Sequence, residues 1–341
     1  MNRALFAHPR ADLYAGRAEW EAARTPPGEF RIGASIVNTI LTDPWAAVET
    51  LTGQAPEPDR ATRIAWARGH LYEEAIIGHY ALLTERPALP IGPAMGGPPG
   101  SLAIVRHRTE TWLAVSPDGA TVDPELGEGL VEAKDYVGGD WHDADCVIRS
   151  VDEYHPSMMP AAIMTQALVQ LECSDVAYVD VARRMPNGGL RIIRVLADPD
   201  TQAEIVEAVG EFRERHILRG EPLPVDGSGA CRRLLTRRFP GIGKECRPAT
   251  ADEQRLVALY AEAKAAEKAH AAAADDLRNV IAEALGNTYG LSLGGKARAL
   301  LIPVAGRRTI DADALRAAHP DIAERFTRVG EPHRQLRLYG C

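Results

Sequence analysis

Three side chains near the middle of the chain have the types and spacing that metal-assisted hydrolysis needs: Asp118, Glu132 and Lys134. Asp118 sits in Ser116-Pro-Asp-Gly119, and the other two in Gly129-Leu-Val-Glu-Ala-Lys-Asp-Tyr136. The first segment follows the alternating run Thr111-Trp-Leu-Ala-Val115 and the second closes a short apolar run. This predicts neighbouring strands joined by a turn at Pro124 to Gly129. Alternate side chains of a strand share a face, so Glu132 and Lys134 point one way and Ala133 the other. If the strands pair near Asp118, two carboxylates and an ammonium converge. Carboxylates that close repel one another unless a cation lies between them, and Mg2+ suits a site with few protein oxygens because it keeps several waters. Each piece alone has a plainer reading: Ser-Pro-Asp-Gly is good turn chemistry, and Glu-x-Lys on a strand is commonly a solvated face.

The elements that must position these groups lie on either side. Residues 61–85 carry Ile64, Leu71, Ala75, Ile76, Tyr80 and Leu83 at helical spacing, and with them Gly69, Tyr72 and Glu73. A second helix follows Pro160, with Ile163, Met164, Ala167, Leu168 and Leu171 on its apolar face and Gln166 and Gln170 among them. Upstream, residues 13–24 predict a short helix. Ser35 then stands where it can cap another, with Ile36, Ile40 and Leu41 facing a core. A helix start of that kind also offers free N–H groups to an anion. Downstream come a strand at 175–181, a run at 190–196 forming a hairpin about Pro186-Asn-Gly-Gly, and a helix bearing Ile205, Val206, Val209 and Phe212.

Taken together, Asp118, then Glu132-Ala-Lys134, with an acid-bearing helix before and a Gln-bearing helix after, resemble the PD-(D/E)xK nuclease core. Within that group the chain looks most like the phage lambda exonuclease and the YqaJ-type viral recombination nucleases, over roughly residues 30–220. The resemblance implies an α/β fold with a central mixed sheet flanked by helices, a restriction-endonuclease-like core. It implies that Asp118, Glu132 and the Ala133 carbonyl hold Mg2+, with Mn2+ able to substitute, and that Glu73 of the matching Gly69-x-x-Tyr72-Glu73 element serves a second ion. Lys134 would hold or deprotonate the attacking water, Gln166 would orient Lys134, and Ser35, Ser116 and either Arg31 or Arg24 would grip a 5′-phosphate. The implied activity is 5′→3′ exonucleolytic hydrolysis of double-stranded DNA from a 5′-phosphorylated end, leaving 3′ single strands. Its expected setting is a phage-type recombination system with a single-strand annealing recombinase as partner and a ring of three subunits. The same core also serves restriction-like endonucleases and single-strand nuclease relatives found beside CRISPR systems. A non-catalytic DNA-binding protein on this fold is the third reading, disfavoured because it would bury charges without use.

Composition is that of a globular protein: 341 residues, 45% hydrophobic and 25% charged, enough for one large core or a core plus a smaller domain. The expected division is 1–228 as the nuclease core and 229–341 as an appendage of helix and strands. No stretch of eighteen apolar residues occurs and the N-terminal run breaks before a signal-peptide core forms, so the reading is cytoplasmic with no membrane segment. Five scattered cysteines fit neither a zinc ribbon, a disulfide framework nor an iron–sulfur cluster. The net charge of −8 is unusual for a DNA enzyme, but of 39 basic residues only five are lysines, and guanidinium groups suit bidentate phosphate contacts.

Several further stretches carry weaker signals. The Gly- and Pro-rich residues 87–101 read as an exposed connection. Gly241-Ile-Gly243-Lys244 fails as a nucleotide-binding loop, since Glu245 replaces the required Ser or Thr and Arg238 the first Gly. His142, Asp143, Asp145 and Cys146 lie in a loop read as a cover touching DNA rather than as a metal site. Arg232, Arg233, Arg237, Arg238, Lys244 and Arg247 face only Glu245, either a solvated linker or a strip for the DNA backbone. Residues 251–286 predict one long helix or a tight pair, able to pack on itself or on another subunit, with Leu256, Leu259, Ala263, Ala266, Leu277, Ile281 and Leu285. The tail predicts a hairpin at 291–304 about Gly294-Gly295, a helix after Asp311, and a strand at 335–339.

Overall fold

In the computed structural model the chain divides into two units, Met1–Leu234 and Leu235–Cys341. It describes residues 5–6, 8–24, 29–135, 144–239, 246–293, 296–300, 302, 306 and 309–327. In chain order the first unit holds β1 (Ala11–Tyr14), α1 (Arg17–Arg24), β2 (Ile32–Gly33), α2 (Ala34–Thr42), α3 (Pro44–Leu51), α4 (Arg60–Thr84), β3 (Ala88–Pro90), α5 (Ile91–Ala94), β4 (Leu102–Arg106) and β5 (Leu113–Val115). There follow β6 (Gly119–Asp123), β7 (Gly127–Lys134), β8 (Cys146–Ile148), α6 (Ala161–Ser174), β9 (Tyr178–Arg184), β10 (Leu190–Leu196) and α7 (Pro199–Phe212), which runs into a π-helical turn. Helix α8 (Gly229–Arg238) lies across the boundary between the units. The second unit then holds α9 (Ala251–Leu285), β11 (Gly290–Leu293), β12 (Lys296–Leu300), α10 (Ala312–Ala318) and α11 (Pro320–Phe326).

The fold of the first unit is mixed α/β. Six strands form one sheet in the order β3-β6-β7-β9-β10-β8, and four form a second in the order β1-β4-β5-β2. In the larger sheet β6 and β7 are antiparallel, with Gly119 opposite Val131, whereas β7 and β9 are parallel, with Glu132 opposite Val181. Alternation along β7 divides its side chains between two helices. Val131 and Ala133 pack with Ile76, Ile77 and Tyr80 of α4, and Leu130 packs with Met164, Ala167 and Leu168 of α6. Each such buried aliphatic side chain contributes roughly 1.5–3 kcal/mol, which makes the α4–sheet–α6 sandwich the frame of the unit.

A buried ionic cluster pins the α4 face. Arg194 donates to both oxygens of Asp180 at 2.7 and 2.7 Å and to Asp123 at 2.8 Å, and the Tyr80 hydroxyl donates to Asp180 at 2.6 Å. Burial alone would raise the Asp123 carboxyl. The bond from Arg194, the N–H groups of Glu125 and Leu126, and Arg86 outweigh it and bring the pKa down to about 2.

Several expectations are corrected by the packing. Residues 11–24 form a strand and then a helix rather than one helix. The run at 111–115 is not continuous with the Asp118 strand, because β5 belongs to the smaller sheet and the chain changes sheets between Val115 and Gly119. Residues 88–94 are an edge strand and a buried turn, not an exposed connection. A Cβ on Gly92 would lie 2.1 Å from the Ser101 carbonyl oxygen. Ile64, Leu71 and Leu83 of α4 and Leu41 of α2 are exposed, since only the sheet-facing stripe from Tyr72 onward in α4 meets the core. Residue 146 opens a strand, β8, that pairs in parallel with β10. The strand expected from 175 starts at Tyr178, because Asp175 adopts a left-handed conformation at the end of α6.

In the second unit residues 251–285 are a single helix, opened by a capping box between Thr250 and Glu253. The Gly294-Gly295 turn, the strand at 335–339, the glycine-lysine segment at 241–244 and residues 136–143 lie outside the described residues. Of the basic run, Arg233 is bonded to the buried Glu49 (3.0 Å from Nε) and Arg247 to Glu253 (2.8 Å), so neither is a free cation on an open strip.

Candidate active site

At the C-terminal end of β7 the alternation that buries Val131 and Ala133 against α4 turns Glu132 and Lys134 toward α6. There the Lys134 ammonium donates to Glu132 Oε1 and, at 3.2 Å, to Gln166 Oε1. Gln166 Nε2 donates to the same Glu132 oxygen at 2.7 Å, and Gln170 Nε2 donates to the other at 2.6 Å. Asp118, in the crossing just before β6, accepts at 2.8 Å from the N–H of Ala133. In a β-ladder the N–H and C=O of one residue point to the same neighbour, so the Ala133 carbonyl opens on the Asp118 side as well. The arrangement brings Asp118, Glu132, Lys134 and Gln166 into one cluster.

The electrostatics follow from that crowding. Burial, then the charge of Glu132, push the Asp118 carboxyl well above the usual range against the opposing pull of Lys134. Burial works against the Lys134 ammonium, but Glu132 and Asp118 outweigh it and raise its pKa. Glu73 acts on both groups from α4, and its carboxylate is bonded to His70 at 2.7 Å. Among the described residues no three of His, Cys, Asp and Glu gather closely enough to hold a metal ion. The donor set is therefore two carboxylates and one carbonyl. Such a set fits a hard divalent ion that retains waters, Mg2+ above all.

Beside this cluster lies the start of α2. Gly33, not Ser35, occupies the cap in extended conformation with no side-chain bond, and Ser35 is exposed one residue inside the helix. Arg31 is paired with Glu29 at 2.7 Å and donates to the Ala23 carbonyl at 2.7 Å. Arg24 lies over the Trp20 ring at 4.4 Å, with its guanidinium 3.7 Å from where a Cβ on Gly33 would sit. Burial and Arg17 lower the pKa of Arg24, against Glu21 and Asp118. The Ser116 hydroxyl is occupied both ways, donating to the Ala103 carbonyl at 2.5 Å and accepting from Trp20 Nε1 at 2.7 Å.

No family model and no curated protein matches this chain. Solved structures do. The fold is similar to an alkaline exonuclease, LHK-Exo, from Laribacter hongkongensis: 21% identity over 58% of this chain and 91% of that one, TM-score 0.40. The same protein solved in complex with dAMP aligns at 20% identity over 66% of this chain and 98% of that one, TM-score 0.41.

Two features of the site have no role in the reading of the sequence: Gln170, which it names without one, and Asp135. Gln170 grips Glu132 from within the core; its spacing of four from Gln166 on one helix face was the available signal. Asp135, with its side chain fully buried, bonds Arg68 of α4 at 2.6 Å and Arg184 of β9 at 2.6 Å, and Arg184 lies over the Tyr72 ring at 4.2 Å. This clasp ties α4 to the end of β7, and nothing in the local pattern announces it. A cavity of about 420 Å3 lies among Phe6, His8, Glu128 and Val176, at the opposite end of β7, and shares no residue with the cluster.

Proposed function

We propose that this chain is a Mg2+-dependent deoxyribonuclease that resects double-stranded DNA 5′→3′ from a 5′-phosphorylated end. The observation that carries the reading is the joint placement of Asp118, Glu132, Lys134 and Gln166 about one point at the end of β7. A Mg2+ held by Asp118, Glu132 and the Ala133 carbonyl supplies Lewis-acid charge to the scissile phosphate when bound. Lys134 holds the attacking water by its ammonium and offsets charge that grows on the phosphoryl oxygens. Gln166 fixes Lys134 by accepting from it and Glu132 by donating to it, so the amine stays beside the carboxylate through the reaction. Gln170 holds the second oxygen of Glu132, which limits its rotation.

The end-binding part of the proposal rests on α2. Its first N–H groups carry no side-chain cap, and Arg24 stands at the same place, a combination that suits a terminal phosphate. Arg24 is therefore favoured over Arg31 for this role, and Ser35 adds a hydroxyl at the helix start. A ring of three subunits and an annealing partner follow from the family resemblance alone.

The test compares linear duplexes bearing a 5′-phosphate or a 5′-hydroxyl with covalently closed circular DNA, each with Mg2+ or with chelator. Degradation of the phosphorylated linear duplex alone, abolished by chelator and by Lys134→Ala, is expected. Cleavage of closed circles at a comparable rate would replace the exonuclease with an endonuclease, and activity unaffected by chelator would overturn the metal assignment.

A further inference from the structure

We propose that one face of α9 is a self-association surface on which the α9 of a second copy of this chain lies antiparallel. The helix runs 35 residues, and of these only Leu285, at its end, is buried. Leu256, Leu259, Leu277 and Val280 are 65, 51, 64 and 61% exposed. From Leu256 the steps alternate three and four residues through Leu259, Ala263, Ala266, His270, Ala273 and Leu277 to Val280, which is the heptad seam of a two-stranded coil. The intrahelical ion pairs Lys264–Glu267 and Arg278–Asp275 lie off that seam.

The occupant is indicated by the order of sizes along the seam. About the level of Lys268 the order is palindromic in its three outer pairs, large, large, small on either side, and the central pair joins Ala266 to His270. In an antiparallel pair Leu256 meets the partner's Val280, Leu259 the partner's Leu277, and Ala263 the partner's Ala273. Any seam matches itself in parallel, whereas only a palindromic one matches itself in reverse. The parallel arrangement also sets His270 against the partner's His270 among alanines, while the antiparallel one gives each imidazole the small Ala266 opposite. At the rim Arg255 falls beside the partner's Glu283. Glu262 falls beside the partner's Asp276, a like-charge pair that solvent screens and the leucine layers outweigh. The seam from Leu256 to Val280 is about 36 Å long. With Tyr260 and Ile281 at its edge, two such strips bury on the order of 1,000 Å2, the lower limit for a specific interface.

Cysteine cross-linking of the full chain, in a Cys246→Ser, Cys341→Ser background, tests the register. Ala263→Cys mixed with Ala273→Cys under mild oxidant is expected to give a disulfide-linked pair containing one of each, at least tenfold more than either variant alone. Adding Leu259→Asp to both should remove it. Lys268→Cys, on the outer face, should not link. Absence of the mixed pair when thiol titration shows both cysteines reactive, self-linking of each variant as readily as the mixture, or equal linking at Lys268 would each overturn the proposal.

Discussion

Lys134 and Gln170 hold Glu132 from opposite sides, and their loss should read differently. Lys134→Ala removes the ammonium that the proposed mechanism sets beside the scissile phosphate. It is expected to lower kcat by about 100-fold or more while the melting temperature stays within a few degrees, checked by steady-state assay and thermal unfolding. Gln170→Leu removes a donor to Glu132 without touching substrate, so the expected effect is a rise of about 10- to 100-fold in the Mg2+ concentration for half-maximal rate, with a smaller change at saturation. A magnesium titration separates the two. The cluster itself was largely legible in the sequence, because a period of two places Glu132 and Lys134 on one face and a helix with Gln at the right distance follows. The Asp135 clasp was not, since its partners Arg68 and Arg184 lie on elements far away in sequence.

Among the elements, the larger sheet depends on contacts that tolerate no added atom. A Cβ on Gly129 of β7 would lie 2.2 Å from the ring of Tyr178, itself fully buried. Gly129→Ala should therefore destabilise the fold by about 1–3 kcal/mol, measured by denaturant unfolding. The ionic cluster behind the same strands makes stability depend on pH. Asp123 titrates at about 2 in the fold and near its ordinary value of 3.8 when unfolded. Its contribution of roughly 2 kcal/mol is present above about pH 4 and is lost as pH falls toward 2. Arg194→Met should flatten that part of the acid-unfolding curve. Strand and helix existence was readable from periodicity for β7, β9, β10 and α6. The change of sheet at Ser116–Asp118 was not, because alternation looks the same whichever sheet a strand joins. The exposed half of α4 misled for a related reason: Ile64 and Leu71 keep helical spacing but lie before the stretch that reaches the core.

At the level of the whole molecule, the two units differ in how they are stabilised. Among the described residues all three hydrophobic clusters lie in the first unit, whereas α9 relies on its cap, its intrahelical pairs and whatever covers its seam. The five tryptophans lie at 20, 45, 66, 112 and 141, all before the second unit begins. Heating dilute protein should lower the helical circular dichroism in two steps, with tryptophan emission following only the later one; a single coincident transition in both signals would refute independent melting. Raising the protein concentration should move the earlier step upward if α9 pairs with itself.

The Gly92 turn has a consequence for how the chain tolerates change. Next to it, the N–H of Ile91 donates to the Asp118 carbonyl oxygen at 3.0 Å, so this stretch without chemically active side chains carries the backbone of the proposed metal-binding acid. Its closeness to Ser101 leaves no room for even a methyl group. In a saturation scan selected for activity, Gly92 should thus be as intolerant as Glu132, and an alanine there should be rescued only by changes that move the Ser101 backbone.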